Sequence, residues 1–207
     1  MMARTMSVPP PRAVLLDLGN VLAFHDNALL FRRLGERAGL DAAEAERRLL
    51  GAGWTAANRG LLDGEGIRRD VCRALGVQLP AEEFFALWNC HFTVHEAVLP
   101  RVERLTRQVP VVLLSNTNVL HVEYLRPRLP VLERFRALVL SCEVGSVKPE
   151  AAIYREALAR AGCAAPHEAT FFDDVPEYVQ AADALGIRGR LFTTAAAFEQ
   201  QLAALGL

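Results

Sequence analysis

Strands buried on both faces leave a plain mark on a sequence, and this chain carries it repeatedly: a short run, apolar on nearly every residue, closed by a polar side chain. The runs are Ala13–Asp17, Val111–Ser115, Ala137–Ser141, Thr170–Asp173 and Arg190–Phe192. A strand covered by helices on both sides reads as a continuous apolar run, where a half-exposed one would alternate. Amphipathic helical stretches separate the runs, which predicts an α/β fold around a parallel sheet. The first four runs lead to Asp17, Ser115, Glu143 followed by Lys148, and Asp173–Asp174. In open α/β sheets the ligand crevice lies outside the carboxyl ends of the strands, so these side chains are expected to converge on one site.

The interval between the first two runs is too long for one crossover helix. From about Phe24 to about Val98 the apolar residues recur at helical spacing: Leu29, Leu30, Leu34 and Ala38, then Leu49, Leu50 and Trp54, then Phe84, Phe85, Leu87, Trp88 and Phe92. Gly51–Gly53, Gly60, Gly64–Gly66 and Pro80 punctuate them. The expectation is a three-layer, Rossmann-like core over residues 1–23 and 98–207, with a small helical bundle at 24–97 inserted as a cap over the crevice. That bundle should hold about four helices.

Of the 207 residues 52% are apolar, ample for such a core and its insert. A formal net charge of -1 favours neither nucleic acid nor an acidic membrane surface, and no apolar run is long enough to span a bilayer. Met1 to Arg12 has several prolines and no apolar stretch of signal-peptide type, and is expected to be a tail. Cys72, Cys90, Cys142 and Cys163 stand too far apart in sequence for metal-ligand spacing. They are expected to be reduced and mostly buried, which points to the cytoplasm.

Each polar strand end admits two readings. Asp17, followed by Leu18-Gly19-Asn20, is either a carboxylate held in the crevice or the opening of an Asx-turn that ends the strand. Ser115-Asn116-Thr117-Asn118 precedes a helix expected near Val119; its hydroxyl and backbone N–H groups suit an anion, and equally suit a helix cap. His121, one turn into that helix, is expected at the surface rather than in the crevice. Lys148, ahead of Pro149 at a helix start, can lean over the strand ends or stay in solvent. Asp173 and Asp174, adjacent after an apolar run, repel one another and call for a hard cation such as Mg²⁺.

The order Asp, Ser, Lys, Asp-Asp, each after its own strand and with the insert after the first, resembles the haloacid dehalogenase (HAD) superfamily over nearly the whole chain. Within it the chain is most similar to phosphatases with a small helical cap, of the glucose-1-phosphatase and epoxide-hydrolase N-terminal-domain type. Leu114-Ser115-Asn116-Thr117-Asn118 with His121, Lys148-Pro149-Glu150 with Ile153-Tyr154, and Phe171-Phe172-Asp173-Asp174 followed by Ala181 and Leu185-Gly186-Ile187 carry that finer match. The resemblance implies an Mg²⁺-dependent phosphatase acting on a small phosphorylated metabolite, a sugar phosphate in this subgroup, through an aspartyl-phosphate. It implies Asp17 as nucleophile and metal ligand, and Ser115 with the Asn116 backbone holding the phosphoryl group. Lys148 would steady both, Asp174 would ligate the metal, Asp173 would do so directly or through water, and Gly19 would offer its carbonyl.

The chain departs from that pattern at Gly19, where most such phosphatases carry a second Asp as general acid and base. Losing such a group typically costs a factor of about 10²–10⁴. Bulk water, His25, Asp26 or His121 are the candidate substitutes. Tyr178 also stands where relatives often have Asn. Two other readings compete: a metal-independent 2-haloacid dehalogenase, whose members also lack the second Asp, and a non-catalytic binding protein. Trp54, Asn58, Arg59 and Trp88 are the candidates for substrate selection in the insert.

Overall fold

The computed structural model describes residues 9–51 and 53–207; most of the expected N-terminal tail therefore lies outside the described residues. The described residues form seven strands: β1 (Ala13–Leu16), β2 (Ala23–His25), β3 (Phe92–Val94), β4 (Val111–Ser115), β5 (Ala137–Leu140), β6 (Ala169–Asp173) and β7 (Arg188–Leu191). Five of them form one sheet in the order β5-β4-β1-β6-β7, with every neighbouring pair parallel. The chain builds outward from β1 through β4 to β5, then crosses to the other side for β6 and β7. The order therefore reverses beside β1, where a crevice opens at the carboxyl ends.

Strand residues alternate between two cores, as the two-residue period of a strand requires. Val14 and Leu16 join Val111, Leu113 and Phe172 in one apolar cluster, covered by α6 (Leu99–Leu105), α7 (Val119–Leu125) and α11 (Ala195–Ala204). Ala13 and Leu15 join Val112, Leu114 and Phe171 in the other, covered by α9 (Ala151–Ala161) and α10 (Pro176–Ala184). The three-layer α/β architecture expected from the apolar runs is thus present. β7 begins two residues earlier than expected, at Arg188. It is an edge strand with arginines, so the apolar pattern there is broken by charges that also discourage edge-to-edge pairing.

Between β2 and β3 lie five helices, one more than expected: α1 (Asn27–Ala38), α2 (Ala42–Gly51), α3 (Trp54–Asn58), α4 (Gly64–Leu75) and α5 (Ala81–Asn89). They close on a core of their own, with Leu30, Leu34, Leu49, Ile67, Phe84 and Trp88 at its centre. Leu120 of α7 reaches into that core. Asp26 and Asp63 cap α1 and α4 with their carboxylates. The antiparallel pair β2–β3 was not expected; it sits where the chain enters and leaves the helices, and its strands are too short to show alternation. A short α8 (Ser141–Val144) follows β5. Pro149 does not open α9: the helix starts at Ala151, after a cis Lys148–Pro149 bond.

Candidate active site

The carboxyl ends of β1, β4 and β6 deliver Asp17, Ser115 and Asp174 to one cavity of 270 Å³, lined also by Gly19, His25, Asn116, Thr117 and Lys148, with Asp173 buried beside Asp17 and Asp174. Convergence of the strand-end residues follows from the parallel sheet, since every strand ends on the same side. Lys148 is no surface lysine. Its ammonium is buried and donates to Asp17 Oδ1 at 2.7 Å and to Asp173 Oδ2 at 2.6 Å. Asn116 fixes the backbone beneath it: Oδ1 accepts from the Lys148 N–H at 2.7 Å, and Nδ2 donates to the Lys148 carbonyl at 2.9 Å. Asn116 Nδ2 also contacts the Tyr178 hydroxyl at 3.4 Å.

Asp173 is wholly buried and both its oxygens are engaged, the second accepting from the Val175 N–H at 2.8 Å. Asp174 is half-buried and accepts from Asn20 Nδ2 at 2.8 Å. Asn20, at φ 52°, makes the sharp turn after β1 in the left-handed region that Asn tolerates better than most residues. Ser141 was not anticipated. Its hydroxyl accepts from the Thr117 N–H at 2.8 Å and donates to the Thr117 carbonyl at 3.0 Å, pinning the loop after β4. A Ser closing an apolar run was visible in the sequence, but its partner lies one strand away.

One ammonium faces three carboxylates. An oxygen from each of Asp17, Asp173 and Asp174 can be chosen so that all lie within 4.8 Å of one another. Burial raises the Asp17 carboxyl from its ordinary range to about 7; Lys148 opposes the rise and Asp173 adds to it. Burial raises Asp173 too, against the pull of Lys148. For Lys148 burial works downward, but Asp17 and Asp173 together hold it above the usual lysine range. Such a site lacks positive charge, and hard carboxylate oxygens clustered at this spacing suit a hard divalent cation. The Gly19 carbonyl is less free to join them, because it accepts from the Val21 N–H at 2.6 Å.

The remaining candidates separate cleanly. Asp26 is exposed and caps α1 rather than facing the cavity. His121, expected at the surface, is instead buried and lines the cavity, stacked on Trp88 at 5.6 Å between ring centroids. A helix that packs against the inserted helices has no solvent side there, which the local sequence could not reveal. His91, beside β3, also lines the cavity and had no local signal. Trp54 and Asn58 line it, whereas Trp88 belongs to the insert core and Arg59 pairs with Glu150. All four cysteines are free thiols; only Cys72 is buried, the others being half-buried.

A family model of haloacid dehalogenase-like hydrolases matches residues 11–186, a span that includes Asp17, Ser115, Lys148, Asp173 and Asp174. A HAD family enzyme from Bacteroides thetaiotaomicron, solved with magnesium and inorganic phosphate, is 25% identical, with 88% of this chain and 94% of that chain covered and a TM-score of 0.81. A predicted HAD-like family hydrolase from Porphyromonas gingivalis is 24% identical over 93% of this chain and 98% of that one, again with a TM-score of 0.81. A HAD phosphatase from Thermococcus onnurineus shares the fold at 18% identity, a TM-score of 0.64, and 93% and 98% coverage. With its parallel sheet, its strand-end carboxylates and this match over most of its length, the chain belongs to the haloacid dehalogenase-like hydrolases.

Proposed function

We propose that the protein is an Mg²⁺-dependent phosphatase that works through an aspartyl-phosphate at Asp17. The observation that carries this reading is the charge imbalance of the cavity, three carboxylates against one lysine in a site that must receive a phosphate dianion. Asp17 and Asp174 would hold Mg²⁺, with Asp173 as a further oxygen. Bound there, the ion supplies charge neutralisation for the transferring phosphoryl group. The similar protein from Bacteroides thetaiotaomicron was solved with both magnesium and phosphate, which supports the same pairing here.

The chain's own residues would share the remaining work. Asp17 Oδ attacks phosphorus and later leaves it. Ser115 and the Asn116 backbone hold the phosphoryl oxygens, and Lys148 orients Asp17 while balancing its charge. Asp173 is positioned to aim Lys148, since one of its oxygens holds the ammonium and the other is tied to the Val175 N–H. Residues 24–97 would act as a cap over a core of 1–23 and 98–207, keeping bulk water from the reacting phosphorus. Free thiols suit a reducing compartment such as the cytoplasm.

A sugar phosphate, or another phosphate ester whose alcohol part is small and uncharged, suits the cavity best. Apart from its imidazoles, every charged side chain lining it, Asp17, Lys148 and Asp174, belongs to the catalytic cluster. Beyond that cluster the lining includes Asn27, Trp54, Asn58, His91 and His121. Asn118 Oδ1 accepts from the His121 N–H, so its Nδ2 faces the ring and donates to Nδ1 at 3.1 Å; the ring proton therefore sits on Nε2. Burial holds His121 neutral, and together with His25 it lowers His91 to about 4. Such a lining offers hydrogen bonds to hydroxyls and no counter-charge to a second anion. The test is a panel of phosphate esters and 2-haloacids assayed with Mg²⁺ and with EDTA. Phosphate release that vanishes in EDTA and returns with Mg²⁺ is expected; metal-independent halide release would instead make the protein a dehalogenase.

A further inference from the structure

The space that a side chain at Gly19 would fill is taken by another residue. A Cβ built on Gly19 would lie 3.2 Å from both Cδ2 and Nε2 of His25, and 3.6 Å from Asp17 Oδ2. The imidazole edge and the attacking carboxylate thus flank one point beside the reacting centre. Neither atom arrives by chance of a loose loop. His25 ends β2 and pairs with Phe92 across the β2–β3 ribbon, and its ring packs edge-on against His91 and Phe92 at 6.5 and 6.4 Å.

Its protonation pattern is legible from its neighbour. Asn20 Oδ1 accepts from the His25 backbone N–H at 3.3 Å, and Asn20 Nδ2 donates to Asp174. The same Nδ2 lies 3.3 Å from His25 Nε2, so that nitrogen faces a donor and presents its lone pair. Of the other proton carriers, Asp26 is exposed and caps α1, Lys148 is committed to two carboxylates, and His121 stacks on Trp88 with its Nδ1 held by Asn118.

We infer that His25 Nε2 is the general acid and base of this enzyme, standing in the place that Gly19 leaves open; the inference rests on the phosphatase reading. In the first step Asp17 forms its bond to phosphorus, the ester P–O bond breaks, and protonated His25 gives its proton to the departing alkoxide. In the second, neutral His25 Nε2 takes a proton from water as the water oxygen bonds phosphorus. The Asp17–phosphorus bond then breaks, which frees the carboxylate and releases phosphate.

The test compares kcat/KM for an alkyl phosphate, which needs its leaving group protonated, with that for nitrophenyl phosphate, which does not. His25→Ala is expected to lower the alkyl-to-aryl ratio by about 10²-fold, the usual worth of a general acid. Adding Gly19→Asp to His25→Ala, where the ring no longer blocks the new side chain, should recover at least about tenfold of that ratio. Thermal melts of both variants identify folding losses, and the single variant decides the matter even where the double one does not fold. An unchanged ratio in His25→Ala, with both substrates slowed alike, would overturn the role of His25. A wild type that hydrolyses neither substrate with Mg²⁺ would overturn the phosphatase reading itself, and the role of His25 with it.

Discussion

Asp17 is held in a state that costs the fold something. Its carboxyl is raised to about 7 mainly by burial, so the folded protein retains a proton there that the unfolded chain has lost. The stability tied to that proton is fully present below the ordinary carboxylate range and is lost as pH rises towards 7. Asp17→Asn removes this liability while preserving shape. The metal-free variant is therefore expected to melt higher than wild type at pH 7.5, by about 5 °C or more, and the gap should shrink towards zero near pH 4. Taking the difference between the two proteins at each pH cancels the buried histidines, which titrate in both. A variant that melts lower than wild type at pH 7.5 would contradict the raised carboxyl. The same exchange should abolish turnover, because a carboxamide is a poor nucleophile. Asp174→Asn should raise the Mg²⁺ concentration needed for half-maximal rate by at least about tenfold. Asp173→Asn should instead lower kcat with a smaller change in metal requirement, since its oxygens hold Lys148 and the Val175 N–H. Titrating both variants with Mg²⁺ separates these outcomes.

At the scale of elements, the site depends on how closely the inserted helices approach the sheet. Gly60, just past α3, lies at φ 70°, and a Cβ there would collide with the Cys142 carbonyl oxygen. Arg59 pairs with Glu150, which also accepts from Ser146 Oγ at 2.8 Å. Gly60→Ala is accordingly expected to destabilise the protein by on the order of 2 kcal/mol or more. It should also raise KM, by displacing Trp54 and Asn58 on the same short helix; denaturant melts and steady-state kinetics check both. A variant with wild-type stability and KM would show that this contact is not tight in solution. These contacts also mark the limit of what the sequence discloses. Asp17, Ser115, Lys148 and Asp173–Asp174 were legible because a parallel sheet ends all its strands on one side, so a polar residue after an apolar run has one destination. The β2–β3 ribbon was not, because three-residue strands carry no period, and their pairing bridges the whole insert. His121 was misplaced at the surface for a related reason: its neighbours Trp88 and His91 come from the far end of that insert. Gly19 read as a loss because the residue that fills its space, His25, lies beyond a turn made by Asn20 at positive φ.

At the scale of the molecule, the described residues pack into three apolar clusters, and the excess negative charge at the strand ends is the feature that most constrains the chemistry of the cavity there. Among the described residues no helix is long and apolar enough to cross a membrane, and the formal net charge is -1, so the concentration of charge at the strand ends is local rather than general. A cation that binds there should stabilise the fold by mass action. Saturating Mg²⁺ is expected to raise the wild-type melting temperature by about 5 °C and to do much less for Asp174→Asn. Equal shifts in both proteins would move the metal elsewhere. The most direct test of the account is to quench the protein in acid during turnover of a phosphate ester with Mg²⁺ and weigh its peptides by mass spectrometry. The peptide containing Asp17 is predicted to gain one phosphoryl group, reversible in base and absent from Asp17→Asn. Steady phosphate release with no phosphoryl group on that peptide, or undiminished release by Asp17→Asn, would contradict it.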